Sequence, residues 1–225
     1  METLLPHVLS SFLIFSYIKQ NTVTGVLFYV ILSIMKQHIS PIKICVSGAR
    51  DTSICGSDAL QIASKLGQII AESGSILTTG AVQGFPLWAA KSAKQFGGTT
   101  IGFSPAANAQ EHVNIFKLSS DYQDMIVYTG FGVSGCDLLL TRASDAIIFG
   151  CGRVGTVHEF VGAFQEGKIL GVLEGDWNTD ELLKEIIALD VSRNHDLIIF
   201  DTDPHRLVDR IIKKVHETYT YADKK

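Results

Sequence analysis

The sequence predicts an α/β fold in which helices cover both faces of a parallel sheet. From residue 42 onwards, short apolar runs alternate with segments whose apolar residues repeat every three or four positions. This rhythm is typical of buried strands joined by crossover helices. The chain has 225 residues, of which 46% are hydrophobic and 19% charged. That is enough for one such domain and a short appendage, but not for a second full domain.

The predicted elements follow one another along the chain. The first strand is expected at residues 42–46, and the helix after it, from Ser57 or Asp58 to Gly74, has the most regular periodicity. Further strands are expected at residues 75–79, 99–103, 125–129, 169–173 and 197–200, with another directly before Gly150. Helices are expected at residues 85–96, 137–143, 156–165, 179–188 and 204–219. The polar stretch 105–122 lacks periodicity, and long loops of this kind are usually functional.

Residues 1–41 form a hydrophobic extension that differs from the domain at residues 42–225. Its two uncharged stretches, 3–18 and 20–35, are each shorter than the roughly 20 residues of a membrane-spanning helix. An acidic residue rather than a basic one precedes the first stretch, which disfavours a signal peptide. Three interpretations stay open: a membrane-associated appendage, a helix docked on the domain or a partner, or upstream sequence before a true start at Met35. We favour the third, so membrane contact is expected only if residues 1–34 belong to the native protein.

Charge and cysteine content narrow the class of ligand and the compartment. The net charge is −4 and basic residues are scattered, so no basic face predicts binding along a nucleic-acid polymer, and a small molecule is the expected partner. The four cysteines form no C-x-x-C pair and lie in or beside apolar strands and turns: Cys45, Cys55, Cys136 and Cys151. This pattern is typical of reduced thiols in a cytoplasmic protein. The sequence therefore predicts neither a disulfide framework nor a metal site.

A glycine-rich turn at residues 150–156 lies between an apolar strand and a helix. Gly150, Gly152 and Gly155 lack a Cβ, so their N–H groups can approach an anion. The helix start adds free N–H groups and the positive end of the helix dipole. The turn therefore predicts a phosphate site, with Arg153 and Thr156 beside it.

The same turn also satisfies the spacing G-x-G-x-x-G, and Glu174 lies where a dinucleotide fold would place its ribose-binding acid. That fingerprint normally occupies the first strand-to-helix turn of the domain. No catalytic Tyr-Lys or His set accompanies it here. An NAD-dependent oxidoreductase therefore ranks below the other functions considered.

Two earlier glycine turns are predicted at the same edge of the sheet. They contain Gly48 and Arg50 after the first strand, and Gly80 and Gly84 after the second. In such sheets, ligands bind beyond the carboxyl ends of the strands, where the strand order reverses. The three turns predict one crevice, although each glycine could instead only serve a tight turn.

Glu159 has two interpretations. Thr156 and Glu159 form T-x-x-E at a helix start, which is the pattern of a capping box and needs no ligand. A carboxylate beside a phosphate-binding turn is also a candidate for catalysis. The neighbouring glycine turn favours the functional interpretation.

A set of short segments occurs in a fixed order along the chain: Ile76-Leu-Thr-Thr-Gly80, Gly84, Gly97-Gly98-Thr-Thr-Ile-Gly102, Pro105, Ser144-Asp-Ala and Gly155-Thr-Val-His-Glu159. Their order resembles the LONELY GUY (LOG) family, which is often mislabelled lysine decarboxylase, and the resemblance covers about residues 42–200. It implies a Rossmann-like nucleotide-binding domain and a homodimer or larger homo-oligomer. It also implies a phosphoribohydrolase that cleaves the N-glycosidic bond of nucleoside 5′-monophosphates. No cofactor is predicted.

The resemblance also assigns roles to residues. Gly152, Gly155 and Thr156 match the phosphate-binding part of the motif P-G-G-x-G-T-x-x-E, and Glu159 matches its catalytic carboxylate. Such a carboxylate stabilises an oxocarbenium-like ribose or activates water. Arg142 matches a second arginine of the family and is the other catalytic candidate.

Two departures from the family pattern change these expectations. Cys151 and Arg153 replace the motif's proline and second glycine, and Arg153 could reach a phosphate. The family's catalytic arginine falls at Cys136, whose thiol cannot replace a bidentate, permanently charged guanidinium. Cys136 could be a nucleophile, but a small buried residue fits better. Two hypotheses therefore remain: a hydrolase that uses Glu159, and a non-catalytic nucleotide or cofactor carrier or sensor.

Overall fold

The computed structural model of the protein describes residues 41–190 and 195–222. The predictions for residues 1–34 lie outside these residues. None of the helices in the described ranges is both long and apolar enough to cross a membrane.

The described residues form one parallel sheet of seven strands: β1 (Lys43–Ser47), β2 (Ile76–Thr79), β3 (Thr100–Ser104), β4 (Met125–Tyr128), β5 (Ala146–Phe149), β6 (Ile169–Leu173) and β7 (Ile198–Asp201). Their order across the sheet is β4-β3-β2-β1-β5-β6-β7. From β1 the chain moves outward to β4, then returns beside β1 with β5 and moves to the other edge. The strand order therefore reverses between β1 and β5, where Ser47 lies opposite Phe149.

Helices connect the strands: α1 (Ala59–Glu72), α2 (Phe85–Gln95), α3 (Ala109–Asn114), α4 (Gly132–Ala143), α5 (Val154–Gln165), α6 (Thr179–Ala188) and α7 (Pro204–Ala222). A short 3-10 turn, His195–Leu197, precedes β7. On one face of the sheet, α1, α2 and α7 pack on a core that includes Ile44 and Ile148. On the other face, α4, α5 and α6 pack on a core that includes Ile147 and Phe149. The predicted three-layer, Rossmann-like α/β fold is confirmed.

Helices α3 and α4 differ most from the prediction. The loop expected at residues 105–122 contains α3, whose start is fixed by Asn108: its side-chain oxygen accepts from the Glu111 N–H at 2.9 Å. Glu111 in turn accepts from the N–H of Ala107, one residue before the N-cap, so the two side chains close the helix start in a variant of the capping box. Helix α4 begins at Gly132, five residues before the predicted start at 137. Its two glycines, Gly132 and Gly135, have low helix propensity and hid that first turn in the sequence.

Gly84 allows the β2–α2 turn to pass close to the β1–α1 turn. Its φ is 75°, and a Cβ on it would lie 2.2 Å from the Ala49 carbonyl oxygen. Gly74 has a φ of 76° but no atom within 4 Å of its Cβ position. We therefore expect Gly84→Ala to lower the free energy of unfolding by about 1–2 kcal/mol more than Gly74→Ala does, since only the first adds a collision to the backbone strain. Urea unfolding of both variants measures this, and equal losses would contradict the close approach.

Candidate functional site

A cavity of about 560 Å³ lies at the carboxyl ends of β1, β2 and β5. This is the point where the strand order reverses, which is where ligands bind in open α/β sheets. The volume is in the range of small-molecule sites. The three predicted glycine turns meet here, and the following predicted site residues line the cavity: Gly48, Arg50, Gly80, Arg153, Gly155, Thr156 and Glu159.

The start of α5 opens onto this cavity. The N-cap residue is Arg153, and in the described part of the chain no side chain caps the helix. Gly155 lines the cavity, and no atom lies within 4 Å of the position where its Cβ would be. The N–H groups of the first helical turn are therefore available to an anion, with the positive end of the helix dipole behind them.

The capping-box interpretation of Thr156 and Glu159 is wrong. Helix α5 starts at Val154, two residues before the predicted start, so Thr156 lies inside its first turn and is buried. Glu159 consequently lies in the second turn and faces β1. Its Oε2 accepts from the Ser47 hydroxyl at 2.6 Å, and its Oε1 accepts from the Cys45 thiol at 3.7 Å.

The environment of Glu159 favours its neutral form. The side chain is half-buried at the floor of the cavity. Burial raises its pKa to about 7, the hydrogen bond from Ser47 opposes this rise, and the negative charge of Asp137 adds to it. Near neutral pH, Glu159 therefore exchanges a proton readily and can act as acid or base.

Arg142 does not contribute to the cavity. Its guanidinium lies at the last turn of α4 and pairs with Glu166, with Nη2 2.8 Å from Oε1 and Nε 3.2 Å from Oε2. This bidentate pair holds the side chain at the surface, where it is 60% exposed. Arg142 cannot contact a ligand held beside Glu159 without breaking that pair.

Arg50 and Arg153 are the arginines that line the cavity. The Arg50 Nη2 donates to the Lys117 carbonyl at 3.3 Å. The Arg153 Nη2 donates to Asp51 and to the Ser53 hydroxyl, each at 2.9 Å. Both guanidiniums are therefore anchored at the rim, and the charge of Arg153 is balanced by Asp51, which lines the same cavity.

Three of the predicted glycines serve packing and do not line the cavity. Gly84 makes the close turn contact described above. A Cβ on Gly150 would lie 2.3 Å from the Phe85 ring, and one on Gly152 would lie 2.4 Å from the Thr156 Cβ. The Gly152 N–H also donates to the Thr179 hydroxyl. Of the three glycines in the glycine-rich turn, Gly155 is the one that lines the cavity.

Cys136 lines the cavity from α4, at the position that the LOG pattern gives to its catalytic arginine. Burial raises the pKa of its thiol to about 12, although a hydrogen bond with Thr129 opposes the rise. The thiol is therefore neutral at physiological pH, which disfavours its interpretation as a nucleophile.

The prediction of reduced thiols is wrong for two cysteines. Cys55 and Cys151 form a disulfide across a sequence separation of 96 residues. The loop between β1 and α1 folds back over the glycine-rich turn and brings the two sulfurs together, which the linear spacing did not reveal. Cys45 and Cys136 are free and buried.

We expect Cys55→Ala to lower the free energy of unfolding by about 2 kcal/mol in oxidising buffer, because an open loop increases the entropy of the unfolded chain. Urea unfolding of the variant and the wild type, each with and without a dithiol reductant, measures this. The wild type in reductant is the matched control and should equal the variant. A wild type whose stability does not change on reduction would contradict the prediction.

Several cavity residues were missed in the sequence. Ser47 directly precedes the first glycine turn, and a polar side chain at the end of a buried strand was the signal for it. Asp137 follows Cys136 on α4 and lines the cavity beside Glu159. Phe116 and Leu118 form an apolar wall from the loop after α3, and nothing in the polar stretch 105–122 had singled out these two side chains. Glu174 pairs with Lys184 and does not line the cavity.

Two solved structures of molybdenum cofactor proteins are similar to this chain in fold and in sequence. The molybdenum cofactor binding protein of the phototrophic bacterium Rippkaea orientalis is 28% identical, with a TM-score of 0.62 over 78% of this chain and 97% of that one. The molybdenum cofactor carrier protein of Chlamydomonas reinhardtii is 26% identical, with a TM-score of 0.61 over 79% of this chain and 99% of that one.

A curated protein of Archaeoglobus fulgidus, whose name assigns no function, is 29% identical over 132 residues, which are 59% of this chain and 82% of that one. The model of the SLOG cluster4 family matches residues 41–208, well over half of the chain. The protein therefore belongs to the SLOG cluster4 family.

Proposed function

We propose that this protein is a carrier or sensor that binds a phosphate-bearing cofactor or nucleotide without hydrolysing it. The observation that carries the proposal is the pairing of an open, uncapped helix start at Gly155 with a neutral thiol at Cys136. The first feature binds an anion. The neutral thiol of Cys136 lacks the positive charge of the arginine that hydrolases of the LOG family have at this position.

One end of the cavity suits a phosphate. The first turn of α5 offers N–H groups, and Arg50 adds positive charge at the rim. Hydrogen bonds from such groups to an ionised phosphate are short and strong. This end supports recognition of a phosphate ester.

The remaining wall suits a flat heterocycle. It is largely apolar and includes Val82, Phe116, Leu118 and Val133. The sheet order places β5, with its phosphate turn, two strand positions from β2, which is about 10 Å. A ligand with a phosphate at one end and a ring system at the other spans that distance.

Similarity to the two molybdenum cofactor proteins supports a cofactor of that type as the cargo. The molybdenum cofactor is a pterin that carries a phosphate ester, so its chemistry agrees with an anion cradle and an apolar wall. On this proposal the cofactor is bound and handed on, and the residues of the chain hold it without chemical change.

A second candidate function is hydrolysis of the N-glycosidic bond of nucleoside 5′-monophosphates. Glu159 favours it, because a carboxyl group with a pKa of about 7 faces the cavity. The positions of Arg142 and Cys136 weaken it, since neither supplies a guanidinium beside Glu159.

Incubation of the full chain with a panel of nucleoside 5′-monophosphates separates the two functions. Calorimetry measures binding, and chromatography measures free base. The carrier proposal expects binding without release of base. Release by the wild type that Glu159→Ala abolishes would establish the hydrolase instead. If Cys136→Arg creates release that the wild type lacks, the missing guanidinium explains the loss of activity.

We further propose that the native protein is a homo-oligomer that starts at Met35, with residues 42–225 as its domain. The disulfide between Cys55 and Cys151 removes the support that reduced thiols gave to a cytoplasmic location. The LOG resemblance supports the assembly, and the composition of residues 1–34 supports the start. Light scattering of the purified chain tests the oligomeric state. Mass spectrometry of the natural amino terminus tests the start at Met35, and peptides from residues 1–34 would overturn it.

A further inference from the structure

A second cavity, of about 220 Å³, lies between α4 and α5 on the far side of Glu159. Its lining includes Ser134, Thr141, His158 and Gly162. Asp137 and Glu159 line both this cavity and the ligand cavity. These two carboxyl groups therefore form part of the partition between the two spaces.

His158 holds Asp137 in this partition. The His158 Nδ1 lies 3.2 Å from the Asp137 Oδ2, and the histidine side chain is 55% exposed. The carboxyl of Asp137 is 22% exposed. The pair thus connects the solvent outside the second cavity to the floor of the ligand cavity.

From this geometry we propose that Asp137, held by His158, biases buried Glu159 further towards its protonated form and that the second cavity gives Glu159 a route to solvent that a bound ligand does not close. Asp137 and His158 are positioning residues in this arrangement, since Glu159 is the group that faces the ligand. The role of this arrangement in ligand binding rests on the proposed function. The effect of Asp137 and His158 on the protonation of Glu159 does not.

The charges around Glu159 make Asp137 the relevant neighbour. On β1, Glu159 meets the thiol of Cys45, which is neutral because burial raises its pKa. On α4, Glu159 meets the thiol of Cys136 and the carboxylate of Asp137. The negative charge of Asp137 opposes ionisation of Glu159. On its own helix His158 is adjacent, and Arg50, Asp51 and Arg153 line the same cavity.

In this arrangement, binding of an anionic ligand is coupled to the protonation of Glu159. Above pH 7 an ionised Glu159 repels an anionic ligand, so binding favours uptake of one proton by its carboxylate. The ligand then occupies the main cavity. The proton reaches Glu159 from solvent through the second cavity, and release of the ligand returns it by the same route.

The test is a pH titration of Glu159 in the ligand-free full chain. NMR of 13C-labelled glutamate carboxyl groups monitors the titration, and the spectrum of Glu159→Gln identifies the Glu159 signal. We expect Asp137→Asn to lower the Glu159 midpoint by about one pH unit, because a like charge is removed. His158→Gln should lower it by less: burial raises the pKa of Asp137, the hydrogen bond from His158 opposes that rise, and loss of the bond leaves Asp137 less ionised. In the Asp137→Asn background, His158→Gln should have no further effect.

Ser134→Ala is the matched control, since it changes the lining of the second cavity without removing a charge. A control shift as large as that of Asp137→Asn would overturn the inference, as would additive effects of the two variants or an unchanged midpoint in both. Calorimetry with inorganic phosphate separates this inference from the proposed function. If the midpoint shifts and phosphate does not bind, the inference stands and the proposed function fails.

Discussion

Gly155→Leu is expected to weaken binding of a phosphate-bearing ligand by at least about 100-fold without destabilising the fold. The leucine side chain would extend from the first turn of α5 into the space where the phosphate is proposed to bind. Loss of two charge-assisted hydrogen bonds, each of about 1.5–3 kcal/mol, corresponds to that factor or more. No atom lies within 4 Å of the Cβ position, and leucine is a better helix former than glycine. The free energy of unfolding should therefore stay constant or rise by up to about 0.8 kcal/mol.

Val154→Leu is the control for this variant. Val154 lies one residue earlier in the same helical turn, its side chain is 84% exposed, and it lines neither cavity. Calorimetry with AMP and with inorganic phosphate should show binding by the wild type and the control, and loss of binding by Gly155→Leu. Equal affinities for the wild type and Gly155→Leu would exclude the start of α5 as the anion site.

Glu159→Gln is expected to make the protein more stable above pH 7, by about 3 kcal/mol at pH 8. In the folded state the pKa of Glu159 is about 7, against 4.5 for an ordinary glutamate. Below pH 4.5 both states hold the proton and the variant should match the wild type. As pH rises from 4.5 to 7, the unfolded state loses the proton first, so the wild type loses stability at about 1.4 kcal/mol per unit. Glutamine has no charge to bury and escapes this loss.

Urea unfolding of Glu159→Gln and the wild type at pH 5 and pH 8 measures the difference. Glu166→Gln is the control, because Glu166 pairs with Arg142 and its pKa lies below the ordinary value. That control should not gain stability at pH 8. A constant difference between Glu159→Gln and the wild type at both pH values would mean that Glu159 is already ionised at pH 5.

The fold was predictable because it depends on local patterns. Strand β6 and helix α6 have the predicted bounds, since a continuous apolar run and a three-four repeat each mark a buried element clearly. The convergence of the glycine turns was also predictable, because parallel strands place all their carboxyl ends at one edge.

The details of the site depend on contacts between distant residues, which periodicity does not encode. Glu159 was weighed as a capping residue because Thr156 lies three positions before it, whereas its partner Ser47 is 112 positions away. The disulfide joins residues 96 positions apart. Arg142 matched a family position, but Glu166 holds it at the surface. None of these partners could be identified from neighbouring residues.

The most direct test of the central claim is to identify what co-purifies with the full chain from a host that makes the molybdenum cofactor, for the wild type and for Gly155→Leu side by side. Elemental analysis gives molybdenum, and chromatography after oxidation gives phosphorylated pterins and nucleotides. We expect the wild type to hold a phosphate-bearing small molecule intact, approaching one per chain, and Gly155→Leu to have lost it. The account would be contradicted if neither protein held a phosphorylated compound, or if both held the same amount.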